Sequence, residues 1–453
     1  MTEDILPSRK LNREEFAWVL SQGLGRAQLH VAHHGLDGVA DLVLDACRHN
    51  QSYDPQAESS RADWLWPMIA DTVDFSEIRR TILAALSETE DTWDLQQLIR
   101  LAVQMARNGD MEAEAGLQRQ VLSIAGTPSA HDWLGAEEWV ALKGAEGYLA
   151  LARIYGQRLL DGEEQVHHIF VDEATREKQY LSLLAQEAET DEALARYLSY
   201  IQPVSLPRTE ERERRATASS YVRNHPNYQL ARILELARAT YGDYPAKYAL
   251  FGKHATVDEL KTIHDQLLLE RDPAVQLRLL WVFRRAPLPL LPDFVLDWAE
   301  GADAGLREAA IAALSNCADG RIHELARRKA RDKMLLGPDS EMPRLFLLNY
   351  EVSDARLLTE ALVTSKPDRE DAHSLGFALL DLAEKHQGPE LAEALLWMYE
   401  WTPCTICRHK ALQALAELER LPLWVQQEAC HDASPEIRRW ASEKREGLTN
   451  PTG

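Results

Sequence analysis

Apolar side chains recur at spacings of three and four residues along almost the whole chain, and that spacing constrains the fold more than any other feature. Leu95, Leu98, Ile99, Ala102 and Met105 form one such run, Leu230, Ile233, Leu234 and Ala237 a second, and Leu375, Ala378, Leu379 and Leu382 a third. At about 3.6 residues per turn each run lies on one helical face, which needs an apolar cover. No stretch alternates β-branched and aromatic residues long enough to predict a strand. Proline and glycine gather between the periodic stretches, at residues 126–128, 202–207, 287–292, 337–338 and 402–403. Stretches of about 10–16 residues joined by short breaks predict antiparallel helices stacked on one another, and the expected class is all-α.

At 453 residues the chain is long enough for about three domains or one extended array. Its 50 lysines and arginines against 72 aspartates and glutamates leave a net charge of −22. That excess argues against a protein that coats DNA or an anionic membrane over its whole surface. The charge is uneven: up to Pro207 there are 17 basic and 34 acidic residues, and from Arg208 onward 33 and 38. The break from Gln202 to Arg208 is the one expected boundary, between an acidic helical region at 1–205 and a nearly balanced region at 206–453. The N-terminal sequence MTEDILPSRKLNREEF carries charge where a leader would need an apolar run, and no window approaches about 18 uncharged apolar residues. Five scattered cysteines fit a reducing compartment. A soluble, cytoplasmic protein that leaves membranes alone is expected.

The second region repeats itself. Asp272-Pro273-Ala274-Val275-Gln276-Leu277-Arg278 opens one apolar stretch, and Asp303-Ala304-Gly305-Leu306-Arg307 opens the next. Cys404-Thr405-Ile406-Cys407-Arg408 and Ser434-Pro435-Glu436-Ile437-Arg438 follow the same plan of a small or acidic cap, an apolar residue and an arginine. The gap from Arg307 to Arg408 has room for three further units of about 34 residues, with starts at Met342-Pro343-Arg344 and Asp371-Ala372-His373. The first region repeats less cleanly. Residues 23–66 read as an N-terminal cap of the array, with one or two helices over 24–44.

These motifs, and above all Asp-Pro-x-Val-x-x-Arg and the run from Asp303 to Leu314, resemble the second helix of HEAT-type repeats in their short bacterial form. The resemblance covers roughly residues 258–445. It implies a right-handed α-solenoid of stacked antiparallel helix pairs, with a less regular helical N-terminal half. It further implies that Asp272 and Asp303 cap helix starts and that Arg278, Arg307, Arg408 and Arg438 form a ladder along successive units or face a partner. Two positions depart from the pattern: Cys404 stands where an acidic cap is usual, and His373 or Ser374 where the arginine is expected. A lone helix pair cannot cover its own apolar face, so an array is the physical solution.

Chemistry is sparse. His30 and His34 lie one helical turn apart, with His33 and Asp37 nearby, but no His-Glu-x-x-His signature accompanies them. Cys404-x-x-Cys407 with Cys430-His431 has the outline of a zinc site, yet adjacent Cys430 and His431 are a poor second half, and buried packing is the expected role of the cysteines. His167 and His168 with Asp172 and Glu173 read as a surface face. Phosphate-binding glycine loops and a nucleophile elbow are missing. Arg321, Arg327, Arg328, Lys329, Arg331 and Lys333 make the one basic cluster, and Arg327, Arg328 and Arg331 are the residues that would track phosphates. Most of the 12 tryptophans are expected to pack between helices.

The expected function is therefore a non-catalytic protein-binding scaffold or adaptor whose partner is another protein, with no catalytic residue, cofactor or metal ligand assigned. The alternatives are a HEAT-like enzyme or enzyme subunit of DNA-base repair or chromophore-lyase type, or nucleic-acid binding through the basic cluster at 321–333. The overall charge disfavours nucleic acid, and the second region is where such binding would have to sit.

Overall fold

The computed structural model describes residues 9–58, 60–171, 174–201, 225–239 and 245–449. Among the described residues every regular element is a helix, and no strand forms. None of these helices is long and apolar enough to cross a membrane. The expected boundary at 202–208 lies outside the described residues. Two compact units emerge, residues 1–205 together with 422–453, and residues 206–421. The expected division put residues 422–453 with the repeat region instead.

The first unit begins with helices Arg13–Gln22, Gly25–His34 and Ala40–Arg48. Asn12 and Glu15 form a capping box at its first helix, satisfying amide groups that no preceding turn can reach. Gly35 and Gly38 take positive φ of 70° and 77°, which ends one helix and turns the chain into the next. Helix Thr92–Arg107 is the centre of this unit: Asp91 caps it, and Leu95, Leu98, Ile99, Leu101, Ala102 and Met105 are all buried. Further along, Ala145–Leu160 crosses Glu192–Ile201, with Tyr155 and Tyr197 stacked.

The unit is completed by Leu423–Ala429 and Pro435–Thr449, which return to its first residues. Ala433 donates its N–H to Gly23 O at 2.9 Å, the Trp64 indole N–H donates to His431 O at 2.7 Å, and Arg26 pairs with Glu428 at 2.9 Å. Glycine at position 25 permits this closure, because a β-carbon there would lie 2.0 Å from Glu428 O. Ser434-Pro435-Glu436-Ile437-Arg438 thus opens a helix, as its sequence suggests, but in the first unit. Burial of Gly25 and Trp64 against this returning segment outweighs its likeness to the repeats.

In the second unit aspartates open helices as amide acceptors. Asp272 accepts from Ala274 N–H at 2.9 Å ahead of Pro273–Val282, and Asp303 from Leu306 N–H at 2.9 Å ahead of Ala304–Leu314. The packing partners are mainly near in the chain. Pro245–His254 lies on Pro273–Val282, that helix on Ala304–Leu314, and so on through the turn Met342–Phe346 and Arg369–His386 to Thr405–Glu417. A second succession runs through Gly320–Arg331, Val352–Thr364 and Ala392–Trp401. Met342-Pro343-Arg344, one of the expected unit starts, makes only a 3-10 turn, Met342–Phe346.

Asparagines link one step of this succession to the next. Asn316 Nδ2 donates to the carbonyls of Phe283 and Arg284, each at 3.0 Å, and Asn349 Nδ2 donates to Cys317 O at 2.9 Å. His386 Nε2 continues the pattern 3.0 Å from Leu347 O. Each side chain thus satisfies carbonyls left free where the preceding helix ends.

Candidate functional site

The four expected ladder arginines bond within the chain, each in its own way. Arg278 donates to Ala237 O at 2.8 Å, in the last turn of Leu230–Arg238. Arg307 reaches Asp339 at 3.2 Å, where Lys329 Nζ also donates, at 2.6 Å, and both Lys329 and Asp339 are buried. Arg408 is fully buried and has Thr402 O at 3.4 Å. Arg438 sits in the first unit and donates to Asp432 O and Ala433 O at 2.6 and 2.9 Å. Asn316 and Asn349 also link successive steps, and the sequence patterns do not single them out because a lone asparagine after an apolar helix resembles any helix end.

The basic cluster is largely neutralised. Arg321 pairs with Asp319 and Asp293, Arg328 with Glu300, and Lys329 with Asp339. Arg327 Nη1 lies 2.7 Å from Asp354, a carboxylate with no exposed surface that also faces His323 at 2.9 Å. Arg331 and Lys333 line a shallow cleft with Leu357, Glu360 and Val363. Most of the cluster's positive charge is therefore directed at carboxylates of the same unit.

His30 is buried, and its Nδ1 accepts the Leu11 N–H at 3.1 Å, so that nitrogen is taken. Burial lowers its pKa first, with His34 and Lys10 adding to the effect. His167 and His431 are also lowered, in both cases by burial first. Cys430 donates to Gln426 O, and His431 Nδ1 lies 3.1 Å from Gln28 Oε1, both within the first unit. Asp172 and Glu173 lie outside the described residues.

One group does converge. His373, Cys404 and Cys407 bring a ring nitrogen and two sulfur atoms within 4.8 Å of one another. Thr405–Glu417 begins at Cys404, its N-cap, and carries Cys407 in its first turn, while His373 sits near the start of Arg369–His386, which packs against it. One turn along from His373, Gly376 faces Ala392–Trp401 instead: a β-carbon there would lie 3.2 Å from Met398 Cε. Cys404 and Cys407 are buried and His373 is half-buried.

Cys404 is also electrostatically distinct. The Cys407 thiol, His373 and the Cys407 backbone N–H hold its pKa well below the usual thiol range, against the opposing effect of burial. Cys47 shows what burial alone does, its thiol being pushed up to about 12. A helix start favours a thiolate for the same reason it favours any anion. The set of two sulfurs and one imidazole suits either a soft metal ion or dithiol chemistry. The signal in the sequence was the pair of departures from the repeat pattern: the residue in the place of the acidic cap and the one in the place of the arginine lie together. No protein-family model matches the chain, and neither a curated protein nor a solved structure does so.

Proposed function

We propose that the second unit is a HEAT-like array of helix pairs and that the protein is a non-catalytic scaffold or adaptor for another protein. The observation that carries this reading is the asparagine linkage, in which Asn316 binds the carbonyls of Phe283 and Arg284 and Asn349 that of Cys317. A bond repeated between equivalent places in successive steps is what stacked repeats produce, since each unit contacts its neighbours and little else. The neutralised basic cluster favours a protein partner over nucleic acid, because arginines already paired release fewer counterions. Leu269, Leu290, Val352 and Val363 are exposed apolar side chains in this unit, and such residues are suited to a protein contact.

The test is affinity purification of the tagged full-length chain from its native host, followed by sizing and cross-linking of the eluate. A stoichiometric protein cross-linked to the second unit, and weakened by Leu269→Glu or Val363→Glu with helicity unchanged, is expected. A lone monomer that excises damaged DNA bases, or that binds a tetrapyrrole, overturns the reading.

A further inference from the structure

We propose that His373, Cys404 and Cys407 form a binding site for a thiophilic divalent metal ion, zinc by the chemistry of the donors, with a fourth position open to water or to an external ligand. The three donor atoms lie within 4.8 Å of one another. In a tetrahedral zinc site with bonds of about 2.3 Å to sulfur and about 2.05 Å to nitrogen, donor atoms stand roughly 3.5–3.8 Å apart. Rotation of these side chains about their own bonds closes a difference of that size and requires no backbone shift.

The arrangement is specific in three respects. First, the two cysteines occupy the N-cap and first turn of one helix, so their separation is set by helical geometry and not by a mobile loop. Second, the donors select the ion: thiolates and an imidazole disfavour magnesium and calcium, which take oxygen ligands, and favour zinc. Third, metal binding releases the two thiol protons, and a divalent ion balances both of the buried negative charges that result. Cys404 and Cys407 are buried, whereas His373 is half-buried and gives the ion its entry. Among the described residues no fourth histidine, cysteine or carboxylate joins the group. Three protein ligands with an open position is the coordination of zinc sites that bind a further molecule, and a closed structural site would hold four.

The site is independent of any partner protein and is tested on the full-length chain. Protein purified under reducing conditions without chelator is expected to contain about one zinc ion per chain by elemental mass spectrometry. Replacing the zinc with cobalt is expected to give thiolate-to-metal charge-transfer absorption and the visible bands of a tetrahedral ion. Cys404→Ser and His373→Asn are each expected to lower zinc affinity by more than the roughly 10–100-fold that loss of a supporting outer residue costs. Cys430→Ser leaves affinity unchanged. Cys404 is buried, so its serine variant is read only alongside a far-ultraviolet circular dichroism spectrum; His373→Asn, on a half-buried side chain, gives the readout if that variant unfolds. Zinc affinity unaltered in His373→Asn, failure of the folded reduced protein to take up zinc, or recovery of a Cys404–Cys407 disulfide after rapid thiol trapping overturns the proposal.

Discussion

Asn349 donates from its side-chain nitrogen to the carbonyl oxygen of Cys317 across 2.9 Å, and so joins the end of Ala304–Leu314 to the chain just after Met342–Phe346. Asn316 does the same for Phe283 and Arg284, with both oxygens 3.0 Å away. Asn316→Ala strands two carbonyls at once and is expected to cost about 1–3 kcal/mol, measured by urea unfolding. Asn316→Asp, which keeps the shape but replaces the amide donor by an acceptor, should cost no less. Equal stability of wild type and Asn316→Ala would mean that water replaces the amide without loss.

Lys329, Asp339 and Arg307 form the most deeply buried ionic group of the second unit, with Lys329 and Asp339 at 2.6 Å. Asp339→Ala leaves a buried ammonium without its anion, and a loss of about 3–5 kcal/mol is expected. Lys329→Met combined with Asp339→Leu should recover much of that loss, because it removes both charges and fills the space. A double variant no more stable than Asp339→Ala would place the destabilisation in packing.

Arg327 faces the buried carboxylate of Asp354 at 2.7 Å. Arg327→Ala leaves Asp354 with His323 and the Glu351 N–H, and a stability loss of about 1.5–3 kcal/mol is expected. Binding of duplex DNA at low salt should be negligible in the wild type and unaltered by this variant, as measured by fluorescence anisotropy. Tight low-salt binding that falls on substitution of Arg327 would mean that the ion pairs open for phosphate.

Acid is expected to weaken the first unit well before its carboxylates protonate. His30 accepts from Leu11 N–H, and its pKa lies below the ordinary value of 6.5 because of burial, then His34 and Lys10. Below about pH 6.5 the unfolded chain binds a proton that the folded chain refuses, so stability falls with pH until the folded-state pKa is reached. His167 and His431 are shifted in the same direction. Each contributes a slope of at most about 1.4 kcal/mol per pH unit, readable as the urea midpoint between about pH 7.5 and 5.5. His30→Gln, whose amide oxygen can still accept the Leu11 N–H, should flatten the curve.

Glycine at 25 has a steric reason, since Glu428 O lies where its β-carbon would be. Gly25→Val forces the two backbones apart and is expected to cost at least about 1–3 kcal/mol. Limited proteolysis should then cut between Leu423 and Arg445 faster than in the wild type. An unchanged digestion pattern would show that this contact does not hold the segment.

Helices were legible in the sequence because a helical period is local: Leu95, Leu98 and Ile99 announce their face within one turn. Asp272 and Asp303 were legible as caps for the same reason. The site of residues 423–449 was not, because what holds them is Gly23, Gly25 and Trp64, far away in the chain, while Pro435 and Arg438 repeat the local pattern of the other region. Cys404 and Cys407 stand out by their spacing, but the sequence offers Cys430 and His431 as their partners. His373, which the structure places with them, is brought there by the packing of Arg369–His386 on Thr405–Glu417, a contact that no local pattern encodes.

Closure of the first unit by residues 423–449 also sets an order of events during synthesis. Gly25, Arg26 and Trp64 leave the ribosome early, yet Glu428 and His431 are made only after the whole of residues 206–421. At about 5–20 residues per second that stretch takes roughly 10–45 s to translate. Throughout that interval the second unit is free to fold, while the first must wait with an apolar seam uncovered. A nascent chain stalled before residue 422 should therefore present Trp64 and its neighbours to chaperones, and the protein reaches its finished state from the middle outward.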